Sequence, residues 1–199
     1  MIKYPNGGPT IKVDKNNSNS TTNRKNMGMS LEKDIELSSK YFMDHNLAIF
    51  YKKPTPVHVY KVSPTKSHLI TEAYFEKKST TDYNGLYRQR YIDFECKETK
   101  TKTLPLDRLS RHQVEHLFRV KQLGGIAFFV VRFNTLDETY VFDISHVIEY
   151  LKNNTKQAFS YDYIKTNGFL IRKSYSPRLE LLKALDEAYF KDEIKEKQI

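Results

Sequence analysis

Residues 79–98 read STTDYNGLYRQRYIDFECKE, and the rest of the chain is arranged around them. The first half has turn chemistry, because Asp82, Asn84 and Gly85 accept tight backbone angles. The second half reads as a strand, in which Tyr91, Ile92, Phe94 and Cys96 suit a pleated, half-buried surface. Side chains alternate along a strand, so Ile92, Phe94 and Cys96 share one face and Asp93, Glu95 and Lys97 the other. The apolar face can pack on a core while two acids and a base stand together opposite it. Asp82, on the preceding turn, is then placed to meet Glu95 and Lys97.

Upstream, Ser30 can cap a helix through Leu31, Ile35, Leu37, Tyr41 and Phe42, with Asn46 closing it. Glu32 and Asp34 sit in its first turn, where the helix dipole favours acids. Three strand-like runs follow, Ala48–Tyr51, Val57–Val62 and His68–Phe75, separated by proline-containing turns. They suggest a projecting β-ribbon with lysines at Lys52, Lys53, Lys61, Lys66, Lys77 and Lys78 and aromatics at Tyr60, Tyr74 and Phe75. Basic groups hold phosphates and aromatics stack on bases. The same pattern also suits an ordinary sheet whose lysines protect an edge strand.

Downstream, the spacing of Leu109, Val114, Leu117 and Phe118 predicts a helix over about 107–123, stopped by Gly124-Gly125. Ile126 to Phe133 is an almost continuous apolar run, as in a strand buried on both faces. A turn at Leu136 and Asp137, a strand over 139–144 and a short helix capped by Ser145 come next. Residues 160–173 suggest a helical turn, Gly168 and an extended piece; Pro177 opens a final helix carrying Leu179, Leu182 and Leu185. This order indicates an α/β domain with a mixed central sheet. The expected organisation is a basic tail over 1–29, a folded domain over 30–190 with its ribbon at 52–79, and a charged tail over 191–199.

The formal net charge of +9 favours a polyanionic partner such as nucleic acid. The lone Cys96 excludes an internal disulfide and fits the cytoplasm, and no apolar run approaches the roughly 20 residues of a membrane helix. There is no phosphate-binding glycine loop, so a nucleotide-driven motor or dinucleotide enzyme is not expected.

Four acid-x-Lys triplets occur, so spacing alone does not single out Glu95 and Lys97. Their strand context and the preceding Asp82 do. Mg²⁺ takes oxygen ligands and keeps several waters, so two carboxylates and a substrate phosphate make a sensible site. A neighbouring lysine can orient the attacking water or neutralise developing charge. The expected chemistry is metal-dependent phosphodiester cleavage. A rival pattern, His112-Gln113-Val114-Glu115-His116, fits the H-x-x-E-H motif of inverted zinc peptidases but lacks a third ligand on a following helix. That helix is better used to place Gln113, His116 or Arg119 near the strand.

Several stretches resemble RecU-type Holliday junction resolvases, in order: Asn26–Glu32, Lys52–Pro56, Glu72–Phe75, Ser79–Gly85, Arg90–Lys100, His112–His116 and Gly124–Ile126. Met27 departs from the pattern, standing where the family commonly has an arginine. The resemblance implies a restriction-endonuclease-like core with a projecting stalk, a homodimer, and Mg²⁺- or Mn²⁺-dependent cleavage of four-way DNA junctions. It further implies roles in recombinational repair and chromosome segregation, with modulation of the RecA recombinase; a junction-binding, RecA-modulating protein without essential nuclease activity is the alternative. By motif, Asp82, Glu95, Lys97 and Gln113 form the expected catalytic set and Thr80, Asp82, Glu95 and Gln113 the metal set. Expected DNA contacts are Lys52, Lys53, Lys61, Lys66, Phe75, Lys77, Arg88 and Arg90.

Overall fold

The computed structural model describes residues 30–66, 68–75, 80–153 and 156–196. The 1–29 segment, residues 76–79 with Lys77 and Lys78, and residues 197–199 lie outside these described residues. Among the described residues no helix is long and apolar enough to cross a membrane.

Helix α1, Leu31–Asp44, begins where the Ser30 hydroxyl accepts the Lys33 N–H. Its buried Leu31, Ile35 and Phe42 recur at helical spacing and set the face that packs on the sheet. Strand β1, Ile49–Lys52, follows. Next come β2, Val57–Val62, β3, Ile70–Phe75, β4, Tyr83–Tyr87, β5, Arg90–Thr99, and β6, Thr103–Pro105. Helix α2, Arg111–Gln122, leads to β7, Ile126–Phe133, and β8, Glu138–Asp143. The chain ends with α3, Ile144–Asn153, β9, Ala158–Ser160, α4, Tyr161–Asn167, β10, Phe169–Leu170, α5, Leu181–Tyr189, and α6, Lys191–Glu196.

Six strands form the central sheet in the order β1-β4-β5-β7-β8-β10. All neighbours are antiparallel except β5 and β7, which run parallel. A parallel pair needs a crossover, and α2 lies in it. The sheet divides two cores. On one side α1 and α5 cover Ile92, Phe94, Phe128 and Val130; on the other, α2, α3 and α4 cover Ala127, Phe129, Val131 and Phe142. Strand β7 is buried at every position because it feeds both, which is why its sequence lacks alternation. On the first side, Tyr83 stacks on Phe94 at 5.0 Å and Phe94 on Phe128 at 5.1 Å, tying three adjacent strands together. Each such ring pair adds about 0.5–1.5 kcal/mol beyond area burial.

Among the described residues strands β2 and β3 pair only with each other, and every residue in them is exposed. Residues 57–66 and 68–75 therefore make a solvent-facing ribbon outside the main sheet. The first of the three predicted runs does not belong to it: β1 pairs with β4 at the sheet's edge.

The central stretch differs from expectation in one respect. Asn84 and Gly85 are not a turn but the middle of β4. Glycine is required there by a close crossing: a Cβ on Gly85 would stand 1.8 Å from the Ile49 carbonyl oxygen. The hairpin instead reverses at Arg88 and Gln89, with φ of 46° and 62°. Three smaller boundaries also move. The predicted 107–123 helix is a short 3₁₀ turn at Leu106–Arg108 followed by α2. The Asp143 carboxylate, not Ser145, accepts the first free N–H of α3, that of Ser145. Pro177 follows a cis peptide ahead of α5, and Leu179 bridges to Lys173 rather than entering the helix.

Candidate active site

Strand β5 carries the alternation predicted for it. Ile92 and Phe94 enter the α1 side, with Cys96 packed against that core, while Asp93, Glu95 and Lys97 face α2. In the parallel register Asp93 lies beside Ala127 and Glu95 beside Phe129. Across the β5–β7 ladder, therefore, the two carboxylates meet only apolar neighbours.

Glu95 is 2% exposed, and its Oε1 accepts from Lys97 Nζ and from Gln113 Nε2, each at 2.7 Å. Lys97 Nζ also donates to Gln113 Oε1 at 3.3 Å, closing a triangle between strand and helix. Glu95 Oε2 is buried and has no hydrogen-bond partner among the described residues. Burial pushes the Glu95 carboxyl up to about 7; the nearby Asp82 carboxylate adds to the rise, and Lys97 and Gln113 oppose it.

Asp82 reaches this site by register. Tyr83 pairs with Phe94, so one step further places Asp82 opposite Glu95. The ladder ends there, and Asp82 Oδ2 accepts the Cys96 N–H at 2.9 Å in place of a strand carbonyl. Thr80 is exposed, and its hydroxyl accepts from Lys53 Nζ at 3.2 Å. Beside Lys97 a cavity of about 420 Å³ is lined by Leu31, Glu32, Cys96, Glu98 and Arg108. Its two acids are already engaged: Glu32 holds Lys52 at 2.6 Å, and Glu98 accepts from the Leu31 N–H at the start of α1 and from Asn134 at 3.1 Å. Arg108 donates to the Glu98 carbonyl at 2.7 Å, which brings a second cation to the same wall as Lys97.

A second polar cluster adjoins the first. The Asp93 carboxylate is fully buried, and its Oδ2 accepts from Lys53 Nζ at 2.7 Å, Tyr91 OH at 2.8 Å and His116 Nε2 at 3.0 Å. Its Oδ1 accepts from Thr81. Burial raises the Asp93 carboxyl, but Lys53, Thr81, His116 and Tyr91 more than offset this and hold it below the usual range. Gln113 and His116, three apart on α2, therefore stand over Glu95 and Asp93 respectively. This separates the H-x-x-E-H side chains: His116 turns to Asp93, while Glu115 pairs with Arg111 at the surface.

The expected DNA contacts divide. Lys66 and Phe75 are exposed on the ribbon, Phe75 by 74%. Lys61 is exposed and pairs across the ribbon with Glu72 at 3.4 Å. Lys52 is pinned by Glu32 and Glu36, which push its ammonium up to about 12. Lys53 is drawn into the Asp93 cluster. Arg88 makes two bonds to Asp186 at 2.7 and 3.1 Å, locking the β4–β5 turn to α5. Arg90 is exposed and donates to the Gly124 carbonyl at 3.5 Å. Sequence reasoning missed Arg108 and the tasks of Asp93 and Glu98; for Asp93 the signal was there, since it shares a strand face with Glu95.

The family profile described as "Recombination protein U" matches residues 26–187. The chain belongs to the RecU family. It is 44% identical over 198 residues to the Holliday junction resolvase RecU of Staphylococcus aureus strain JH9, covering 94% of this chain and 95% of the relative. It is 39% identical over 199 residues to the Holliday junction resolvase RecU of Geobacillus sp. strain WCH70, covering 96% and 98%. Among solved structures it is similar to Archaeoglobus fulgidus Hjc, a Holliday junction resolvase, with a TM-score of 0.41 and 14% identity over 67% of this chain and 93% of that one.

Proposed function

We propose that this chain is a structure-selective endodeoxyribonuclease that resolves four-way DNA junctions by metal-dependent hydrolysis, in recombination, repair and chromosome segregation. The observation that carries the reading is Glu95: a buried carboxylate with one oxygen fixed by Lys97 and Gln113, the other without a partner, and Asp82 alongside. An orphaned buried carboxylate oxygen is costly unless a cation completes it. Asp82 and Glu95 fit Mg²⁺, with Mn²⁺ as substitute, since such ions take one or two carboxylates and keep their waters. When bound, the ion supplies an acidified water and offsets charge developing on the phosphate.

The chain's own residues do the remainder. Gln113 holds Glu95 through Oε1, which leaves Oε2 for the ion. Lys97 presents a cation between Glu95 and the adjoining cavity, where it can neutralise the pentavalent phosphorus. Thr80, at the exposed rim, and Arg108 flank the path of the scissile strand. The ribbon, with Lys61, Lys66 and Phe75, is assigned to the junction centre. A two-fold dimer would set one site on each of two opposed strands. The family resemblance also supports a cytoplasmic location and contact with RecA.

The test is a cleavage and binding assay on four-way junction and duplex DNA. Asp82→Asn and Glu95→Gln are each expected to bind a junction but not nick it. Undiminished Mg²⁺-dependent cutting by both variants would sink the assignment.

A further inference from the structure

Asp93 has no part in the chemistry just assigned, yet its position is costly. A carboxylate taken wholly out of water is not justified by stability, since apolar replacements of buried ion pairs are often neutral or stabilising. What sets it apart is where its donors come from. The ribbon leaves the main sheet after β1 through Lys53 and returns through Thr80 and Thr81. Lys53 Nζ contacts Thr80 at 3.2 Å, Thr81 at 2.5 Å and Asp93 at 2.7 Å, and Thr81 also donates to Asp93. The Lys53 backbone N–H donates to the Asp82 carbonyl at 2.7 Å. Both legs of the ribbon are thus gathered on one buried carboxylate two residues from Glu95, and the Lys53 leg in turn holds the backbone of Asp82.

We infer that Asp93 is a positioning residue: it clasps the two legs of the ribbon through Lys53 and Thr81, and so holds Asp82 opposite Glu95 in register with a junction engaged by the ribbon. The inference rests on the proposed metal site. His116 anchors the clasp to α2, the helix that also holds Glu95 through Gln113, so both carboxylates are referenced to one rigid element. Tyr91 adds a donor from β5 itself, and among the described residues its hydroxyl's other hydrogen-bond partner is Asn84 of β4, at 3.4 Å, not Lys53 or Thr81.

The test uses the full-length protein with Asp93→Asn, Lys53→Gln and the double substitution; Tyr91→Phe is the control. Lys53 is 16% exposed at its side chain, so Lys53→Gln carries the test should Asp93→Asn not fold. At saturating junction, single-turnover cleavage is expected to fall at least 10-fold in the clasp variants. Half-saturating Mg²⁺ should rise several-fold, with junction affinity measured without metal changing by less than about 3-fold. The double variant should be no worse than the poorer single one, as for two groups acting as a unit. Hydrogen exchange over residues 80–84 should quicken about 10-fold while α3 and β8 stay protected. Unchanged rate and Mg²⁺ requirement in folded variants would overturn the inference, as would a loss confined to junction affinity or fully additive effects. Failure of the metal-site reading is seen separately, as cutting by Glu95→Gln; hydrogen exchange still judges the clasp in that case.

Discussion

Replacing Glu95 by Gln should stabilise the metal-free protein at neutral pH while abolishing cleavage. Gln has the shape and neutrality of the protonated acid and can still accept from Lys97 through its oxygen. The Glu95 carboxyl rises from 4.5 to about 7 on folding, which corresponds to roughly 3 kcal/mol at about 1.4 kcal/mol per pH unit. That figure is a net one, because the opposing pull of Lys97 is already within it. The sign follows from linkage. The folded state holds this proton more tightly than the unfolded state, so stability falls as pH rises from about 4.5 to about 7 and is flat above. In the wild type with EDTA, urea unfolding should therefore show a decline across pH 5 to 7 that Glu95→Gln lacks. The two proteins should be close near pH 5 and differ by about 3 kcal/mol at pH 8, on the order of 6–12 °C in Tm for a chain of this size. Added Mg²⁺ at pH 8 should restore the wild type, by about 2.7 kcal/mol at 100 times Kd, and leave Glu95→Gln almost unmoved. Parallel pH profiles for the two proteins would refute the claim that Glu95 is an ionised acid held at a cost, and with it the argument that a cation completes the site.

Two further outcomes are expected. Gly85→Ala would press a methyl group against the Ile49 carbonyl at 1.8 Å, and should cost about 3 kcal/mol or more in urea unfolding by prising β1 from β4. On the ribbon, Lys66→Ala should lower the slope of log affinity against log salt by about 1, whereas Phe75→Ala should weaken junction binding by about 1–3 kcal/mol with the slope unchanged; filter binding across a salt series separates them.

What was legible in the sequence is what depends on local period. The alternation Ile92, Phe94, Cys96 against Asp93, Glu95, Lys97 needs only the pleat of one strand, and the structure keeps it. The unbroken apolar run 126–133 likewise announces a strand between two cores. What failed depends on distant partners. Asn84-Gly85 carries the composition of a turn, but the glycine answers to the β1 backbone far upstream, at Ile49. The true reversal at Arg88 and Gln89 has no turn residues, since its geometry is held by Arg88 on Asp186 from the far end of the chain. The lysines show the same limit. Lys52 and Lys53 look like ribbon cations until Glu32, Glu36 and Asp93 are brought beside them.

The helix pattern at 112–116 makes the point for the site. Read alone, His112 and His116 at i and i+4 suggest one metal face. The fold uses a different pair, Gln113 and His116 at i and i+3, because these lie over the two acids of β5. The choice follows from the parallel register. With Ala127 and Phe129 of β7 on the far side, Asp93 and Glu95 have no polar neighbour across that ladder, so their partners must come from the helix above or from β4 and the ribbon legs. Asp93 finds a full set and stays ionised. Among the described residues Glu95 finds donors for one oxygen only. On the reading proposed above, two acids two residues apart are thereby given opposite tasks: the satisfied one would fix structure, and the unsatisfied one would be completed by a cation.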